Sequence, residues 1–304
     1  MLKRILPYLL IFLLTACISG KNNQSNKLNV VATTSLIREL VSEIGGNAIE
    51  VRGLMGAGVD PHLYKASEGD VNLLFNADIV FYSGLHLEGK MQDIFEKMDR
   101  QGIRIVAISD TIPRDSLISS ANFASSYDPH IWFDISNWKL AAFYVAHFLS
   151  RIDTVNSIQY MENMHKYVYR LDSTEKIIVN KINELQQDKR ILITAHDAFN
   201  YFGRAYGFEV LGLQGISTAT EAGVQDVQKL ADLITSRKVK AIFVETSVPL
   251  RNIEALREAV KSKGFNVKIG GSLFSDALGN TGTPEGTYTG MFMHNVNTIV
   301  NALK

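Results

Sequence analysis

Residues 157–187, SIQYMENMHKYVYRLDSTEKIIVNKINELQQ, contain neither proline nor glycine. Apolar side chains recur at Met161, Met164, Val168, Leu171, Ile178, Ile182 and Leu185. The steps alternate three and four, with one gap at Glu175, which is the period of a helix with one apolar face. At 1.5 Å per residue such a helix would be roughly 45 Å long. An unbroken rod of that length in mid-chain acts as a beam, and the chain on either side of it must be organised as separate bodies. On each side strand and helix signals alternate.

Ahead of the beam, residues 28–33, 50–55, 79–83 and 104–108 read as strands. Ser35 is placed to cap the first helix. Ser67, with Asp70 three residues on, spells a capping box. A helix over 137–150 closes this half. Beyond the beam, 191–195, 208–213, 241–245 and 267–270 read as strands, with helices over 222–237 and 253–264. Continuous apolar strands alternating with amphipathic helices predict parallel sheets covered on both faces. The fold class is therefore α/β. Two lobes, 28–152 and 189–304, each with a parallel β-sheet flanked by helices, are joined by one long α-helix within 153–188. At 304 residues the chain is long enough for each lobe to have its own core.

Charge and the amino end narrow the function. Lys and Arg number 31, as do Asp and Glu, and no basic run occurs, which argues against a nucleic-acid partner. The opening MLKRILPYLLIFLLTAC carries Lys3 and Arg4 and then an apolar run from Ile5 to Leu14. That run is too short for a mature membrane span and fits a signal peptide over residues 1–16. Leu14-Thr15-Ala16-Cys17 resembles a bacterial lipoprotein cleavage box. Cys17 is the single cysteine of the chain, so no internal disulfide is possible, and its place marks it as a lipid attachment site. Residues 17–27 then form a polar tether that holds the folded part off a membrane.

Four residues share one structural address. His62, His130 and His196 each follow a strand or lie in a loop at a lobe edge, and Asp276 follows the last strand in GGSLFSD. In open parallel sheets, ligands bind outside the carboxyl ends of the strands. Two of the four precede the beam and two follow it, so a cleft between the lobes would bring the pairs together. Three imidazoles and a carboxylate suit a four-coordinate transition metal and disfavour calcium and magnesium. Pro61 and Pro129 each stiffen the turn that holds a histidine. Asp128, Asp134 and Asp197 are near enough in sequence to orient the rings. Glu245, at the end of AIFVET, is favoured as such a supporting carboxylate, and Glu221 as a helix-entry carboxylate near the cleft. The remaining histidines, His86, His147, His165 and His294, read as loop or packing residues, although His86 also follows a strand.

The stretches DPHLYKASEGDV, NADIVFYSGLHLEGKM, DPHIWFD, TAHDAFNYFGRAYG, IFVETSV and GGSLFSDALG resemble the metal receptors of bacterial zinc and manganese ABC importers. The resemblance runs over nearly the whole chain from Leu28 onward. It implies two α/β lobes joined by one helix, and one buried metal held by two ligands from each lobe. Matched motif by motif, those ligands are His62, His130, His196 and Asp276. It also implies a membrane permease and its ATPase as partners, an extracytoplasmic lipoprotein in the periplasm or on the cell surface, and a monomer.

Two details bear on the metal. Residues 110–127 carry no histidine, whereas zinc members often have a His-rich loop there. His196 stands where manganese members often have a carboxylate. Three imidazoles favour Zn2+ on ligand softness, with Mn2+ the alternative. Four protein ligands close a tetrahedron and leave no open position for a reactive water, so the protein is expected not to be an enzyme. The beam should limit domain closure, so release would need local rearrangement around the ligands. Affinity should fall in acid, because imidazole binds metal only when neutral. A lipid-anchored metallohydrolase is the rival from another class, with Glu221 or Glu245 as general base. The absence of an HExxH helix and of a GxSxG elbow weighs against it. A surface adhesin built on the same fold is a third reading.

Overall fold

The computed structural model describes residues 27–120 and 123–304. The signal peptide, Cys17 and all of the tether except Lys27 lie outside the described residues. In chain order the amino-terminal half gives β1 (Leu28–Ala32), α1 (Ser35–Gly45), β2 (Ile49–Gly53), α2 (Glu68–Phe75), β3 (Ile79–Tyr82), α3 (Gln92–Arg100), β4 (Arg104–Ala107) and α4 (Ile135–Ile152). The beam is α5 (Ser157–Ile182). The second half gives β5 (Ile191–His196), α6 (Asn200–Tyr206), β6 (Glu209–Gln214), α7 (Val224–Arg237), β7 (Ala241–Glu245), α8 (Arg251–Ser262), β8 (Lys268–Leu273) and α9 (Tyr288–Leu303).

All strand pairs are parallel. The first lobe holds one four-stranded sheet in the order β2-β1-β3-β4. In the second lobe the strands pair as β5 with β6 and β7 with β8, and β5 lies beside β7. Chain direction therefore gathers the carboxyl ends of the strands on one side of each lobe, where the loops carry the candidate ligands.

Local signals explain most element starts. Ser67 caps α2, and its hydroxyl accepts from the Asp70 N–H while the Asp70 carboxylate accepts from the Ser67 N–H. The first helix differs from expectation. Thr34 is its cap and accepts from the Ile37 N–H at 3.3 Å. Ser35 is instead engaged across the molecule, where its hydroxyl accepts from the Leu278 N–H at 2.9 Å.

The beam is shorter than its sequence pattern. It spans 26 residues, or about 39 Å at 1.5 Å per residue. Its buried stripe is Tyr160, Met164, Tyr167, Leu171, Thr174, Ile178 and Ile182, so Thr174 fills the gap in the apolar pattern. The Thr174 hydroxyl avoids an unpaired burial by donating to the Arg170 carbonyl. The end has an identifiable cause. The Arg190 guanidinium donates to the carbonyls of Ile182, Leu185 and Tyr206, which satisfies groups that a further helical turn would have used.

The expectation of a separate core in each lobe does not hold. The largest apolar cluster runs from Val30, Leu40 and Ile79 through Trp138 and Leu149 to Leu171, and on to Phe202, Phe243 and Val300. The physical reason is α9, which packs on α1, α5 and β8 and so fuses the lobes along the beam. Smaller clusters lie on the outer faces of the two lobes, around Met91 and Phe95 in one and Ile234 and Val260 in the other.

A polar junction sits at the centre of this fusion. The Tyr167 hydroxyl donates to Glu39 Oε2 at 2.9 Å and accepts from the Trp138 indole N–H at 3.0 Å. The Tyr288 N–H donates to Glu39 Oε1 at 3.4 Å, and the Trp138 and Tyr288 rings stack with centroids 5.2 Å apart. Four helices, α1, α4, α5 and α9, therefore meet at one carboxyl group. Burial pushes Glu39 up to about 7 from an ordinary 4.5, opposed by the Tyr167 hydroxyl, reinforced by Glu43 and relieved by Arg170. A carboxyl raised in this way favours the fold while protonated. Its contribution is whole below pH 4.5 and is lost as pH rises through about 7. Taking about 1 kcal/mol for this half-buried group, Glu39→Gln is expected to raise Tm by about 1–2 °C at pH 8 and little at pH 5, as read by calorimetry.

Candidate metal centre

The tripeptide Asp-Pro-His occurs twice, and each copy folds by the same device. In the first, Asp60 Oδ1 accepts from the His62 N–H at 2.8 Å. In the second, Asp128 Oδ1 accepts from the His130 N–H at 2.9 Å. These are Asx turns, in which a short carboxylate substitutes for a backbone carbonyl and fixes the residue two positions on. Asp128 also takes the His130 ring, with Nδ1 2.8 Å from Oδ1. Asp60 instead reaches across the cleft, where its Oδ2 accepts from the Thr218 hydroxyl at 2.6 Å.

The candidate ligands of the second lobe lie at or just beyond strand ends. His196 is the last residue of β5, and Glu245 is the last of the adjacent β7. One Glu245 oxygen accepts from the His196 N–H at 2.9 Å, and the other lies 2.6 Å from the ring Nδ1. Asp276 lies in the loop after β8. That loop is clamped by Asn295 of α9, which donates to the Phe274 carbonyl at 2.7 Å and accepts from its N–H at 2.9 Å. The loop is also tied to the first lobe. The Trp132 indole N–H donates to the Ser275 carbonyl at 2.9 Å, and the Trp132 carbonyl accepts from the Tyr288 hydroxyl at 2.7 Å. Trp132 lies edge-on to the His130 ring at 5.3 Å.

These supports bring His62, His130, His196 and Asp276 together, each offering a ligand atom within 4.8 Å of the others. His62 Nε2 and His130 Nε2 are 3.3 Å apart. His130 Nε2 is 3.4 Å from Asp276 Oδ1, and His196 Nε2 is 3.5 Å from Asp276 Oδ2. A tetrahedron with metal–ligand bonds of ~2.0–2.1 Å has edges of about 3.3–3.4 Å, and these three separations lie near that value. Burial is complete for the His130 and His196 side chains, and His62 keeps 4% exposure. Burial, joined by the neighbouring His130 and His196 rings and opposed by Asp276, takes His62 down to about 3. Burial works against charge at His130 too, but Asp128 and Asp276 overcome it and push the ring up to about 9. Glu245 and Asp276 likewise outweigh burial at His196 and raise it well above its ordinary value. Asp276 is held well below the usual carboxylate range against its own burial by His196 and His130. The site is thus a dense knot of carboxylates and imidazoles from which water is excluded, and an ion entering it competes with protons for the ring nitrogens.

Relatives carry the same architecture. A family model described as zinc-uptake complex component A, periplasmic, matches residues 30–302. The chain belongs to that family. It is 46% identical over 295 residues to the manganese-binding lipoprotein MntA of Bacillus subtilis, covering 96% of each chain. It is 47% identical over 274 residues to the zinc-binding protein TroA of Treponema pallidum, covering 90% of this chain and 88% of that one. The solved TroA structure superposes with a TM-score of 0.88 at 47% identity, covering 91% of this chain and 99% of TroA.

Within this zinc-uptake family member, two of the expected supporting carboxylates lie elsewhere. Asp134 touches no ligand. It caps α4 by accepting from the Ser136 N–H and pairs with Arg204, since the helix start turns its side chain away from the cleft. Glu221 is exposed and pairs with Arg251 on the rim of a groove that it shares with Asp197. Asp197 makes no hydrogen bond to a ligand ring, and its Oδ1 is buried without a partner among the described residues. Asp60, Trp132 and Ser247 also support the site. The repeated Asp-Pro-His would have indicated Asp60, and nothing local marks the other two. Carboxylates behind metal-bound imidazoles typically contribute 10–100-fold in affinity. Glu245→Gln and Asp128→Asn are therefore each expected to weaken metal binding by about 10–100-fold, and Asp134→Asn and Glu221→Gln to leave it unchanged, as measured by competition with a chelating dye.

Proposed function

We propose that the protein captures Zn2+, with Mn2+ as the alternative cargo, between its lobes and delivers it to the permease and ATPase of a metal ABC importer. The single observation that carries this reading is the convergence of His62, His130, His196 and Asp276, two from each side of the beam, with ligand atoms within 4.8 Å of one another. MntA and TroA, whose names give manganese and zinc, support both cargoes. Asp276 supplies the charge that draws the dication. The three imidazoles supply soft donors, and Asp128 and Glu245 hold two of them in ligating orientation.

Binding without catalysis is the role this set of donors supports. Four protein donors complete the coordination of a tetrahedral ion and leave no position for an attacking water. Glu245, the candidate base of a hydrolase, is already committed to the His196 ring and N–H. Glu221, the other candidate base, is on the surface. Extracytoplasmic placement through a lipid on Cys17, and action as a monomer, complete the reading. Among the described residues no helix is long and apolar enough to cross a membrane.

The continuous core along α5 and α9 leaves little freedom for a hinge, so release proceeds by local movement of the ligand loops. Native mass spectrometry is expected to show one ion per chain and, in a mixture, preference for Zn2+ over Mn2+. Asp276→Ala should lower Zn2+ affinity by at least about 100-fold, because it removes the only anionic ligand. A large rigid rotation of the lobes between metal-free and metal-bound forms would overturn the release mechanism.

A further inference from the structure

The candidate ligands lie beyond the carboxyl ends of the strands, so the amino ends of the first lobe's strands form the opposite pole. A groove at this pole is lined by Lys27 and Leu28, where β1 begins, and by Ala48, just before β2. Ile152 and Val155, from the turn between α4 and α5, line it too. That turn is built to hold an apolar tip outward. Asp153 ties its carboxylate to the turn itself, accepting from the Tyr160 hydroxyl at 2.6 Å and from the Asn156 side-chain amide at 2.7 Å. Val155, at the apex, is 89% exposed, and Ile158, in the first turn of α5, is 75% exposed. Ile152 is exposed as well, and Lys27 and Arg151 place two exposed cations beside the tip. Single exposed apolar side chains are ordinary, whereas several gathered on one braced turn mark a surface that meets something.

We infer that this tip is a membrane-contact surface, and that Val155, Ile158 and Ile152 rest in the face of the bilayer to which the chain is anchored. The inference rests on the lipid attachment at Cys17 proposed above. Lys27 stands ten residues beyond Cys17, and ten residues of fully extended chain span at most about 35 Å. The pole that the tether leaves is therefore always near the bilayer, at an effective concentration that lets even a small apolar surface bind. The chemistry of the tip matches that occupant. Acyl chains accept the valine and the two isoleucines, and anionic headgroups accept Lys27 and Arg151. The contact also sets a direction. With the amino ends of the strands against the bilayer, the carboxyl ends and the candidate ligands face away from it. The anchored protein then captures ions with its cleft turned outward, and must swing about its tether to present them to a permease.

The test uses the mature chain with its lipid, in vesicles of phosphatidylethanolamine and phosphatidylglycerol. Val155→Cys at the tip and Val224→Cys, at a position 78% exposed on the second lobe, are made singly and labelled with a nitroxide. Cys17 is the single native cysteine and its sulfur is spent on the lipid, so only the introduced thiol takes the label. Power-saturation EPR then reads the access of a water-soluble nickel complex to each label. The label at 155 is expected to be at least about threefold less accessible than that at 224, and to regain access when Ile158→Asp and Arg151→Glu are added. Equal access at the two positions overturns the proposal. Protection at 155 that persists without vesicles in the Cys17→Ser chain assigns the cover to the tether and overturns it too. So does protection that grows with the protein-to-lipid ratio, which assigns the cover to a second copy. The intact mass of the mature chain reads the anchor separately. A mass without lipid overturns the anchor, whereas an anchored chain with an accessible tip overturns the membrane contact alone.

Discussion

The continuous apolar core along α1, α4, α5 and α9 is the constraint on which the rest of the molecule depends. The candidate site draws two residues from each side of the beam, and three of its donor separations are 3.3–3.5 Å. Holding atoms from two lobes to that tolerance requires a stiff frame between them. A flexible linker would let thermal motion spread those distances by more than a metal–ligand bond tolerates. The frame is stiff because buried Tyr160, Met164, Leu171, Ile178 and Ile182 each lock one turn of the beam against its neighbours. Each such side chain contributes roughly 1.5–3 kcal/mol by burial.

The second requirement is electrostatic. Asp128, Glu245 and Asp276 all lie fully buried within reach of imidazoles. Buried charges are costly unless paired. Here Asp128 and Glu245 each lie against both a backbone N–H and a ring nitrogen of the same histidine. The same bonds that make the charges tolerable also fix ring orientation, so the cost of burial and the precision of the site have one cause. His62 is built differently. Asp60 holds its backbone N–H and spends its second oxygen on Thr218 of the other lobe rather than on the ring.

Much of this was legible in the sequence wherever a local rule governs the outcome. The Ser67–Asp70 capping box, the strands at 79–83 and 241–245, and the helical period of the beam all depend on neighbours in the chain. The four residues singled out by their place after strands are the four that the structure brings together. The misses have long-range causes. Ser35 was the plausible helix cap, but Leu278 engages it from the other end of the chain. The helix α9 is not marked in the sequence because Asn295 interrupts its apolar face, and Asn295 is buried for the sake of the Asp276 loop. Asp134 and Glu221 show that closeness in sequence does not fix the direction a side chain takes. Ser247 and Ser275 carry no local mark at all, since serine is common in loops of every kind.

The Asn295 clamp also dictates an order of events. All four candidate donors precede α9 in the chain, yet the Asn295 clamp on Phe274, two residues before Asp276, forms only when α9 has packed beneath that loop. A nascent or half-exported polypeptide that already contains every donor still lacks a formed chelating cage. The complete candidate site is thereby deferred until the last segment has folded.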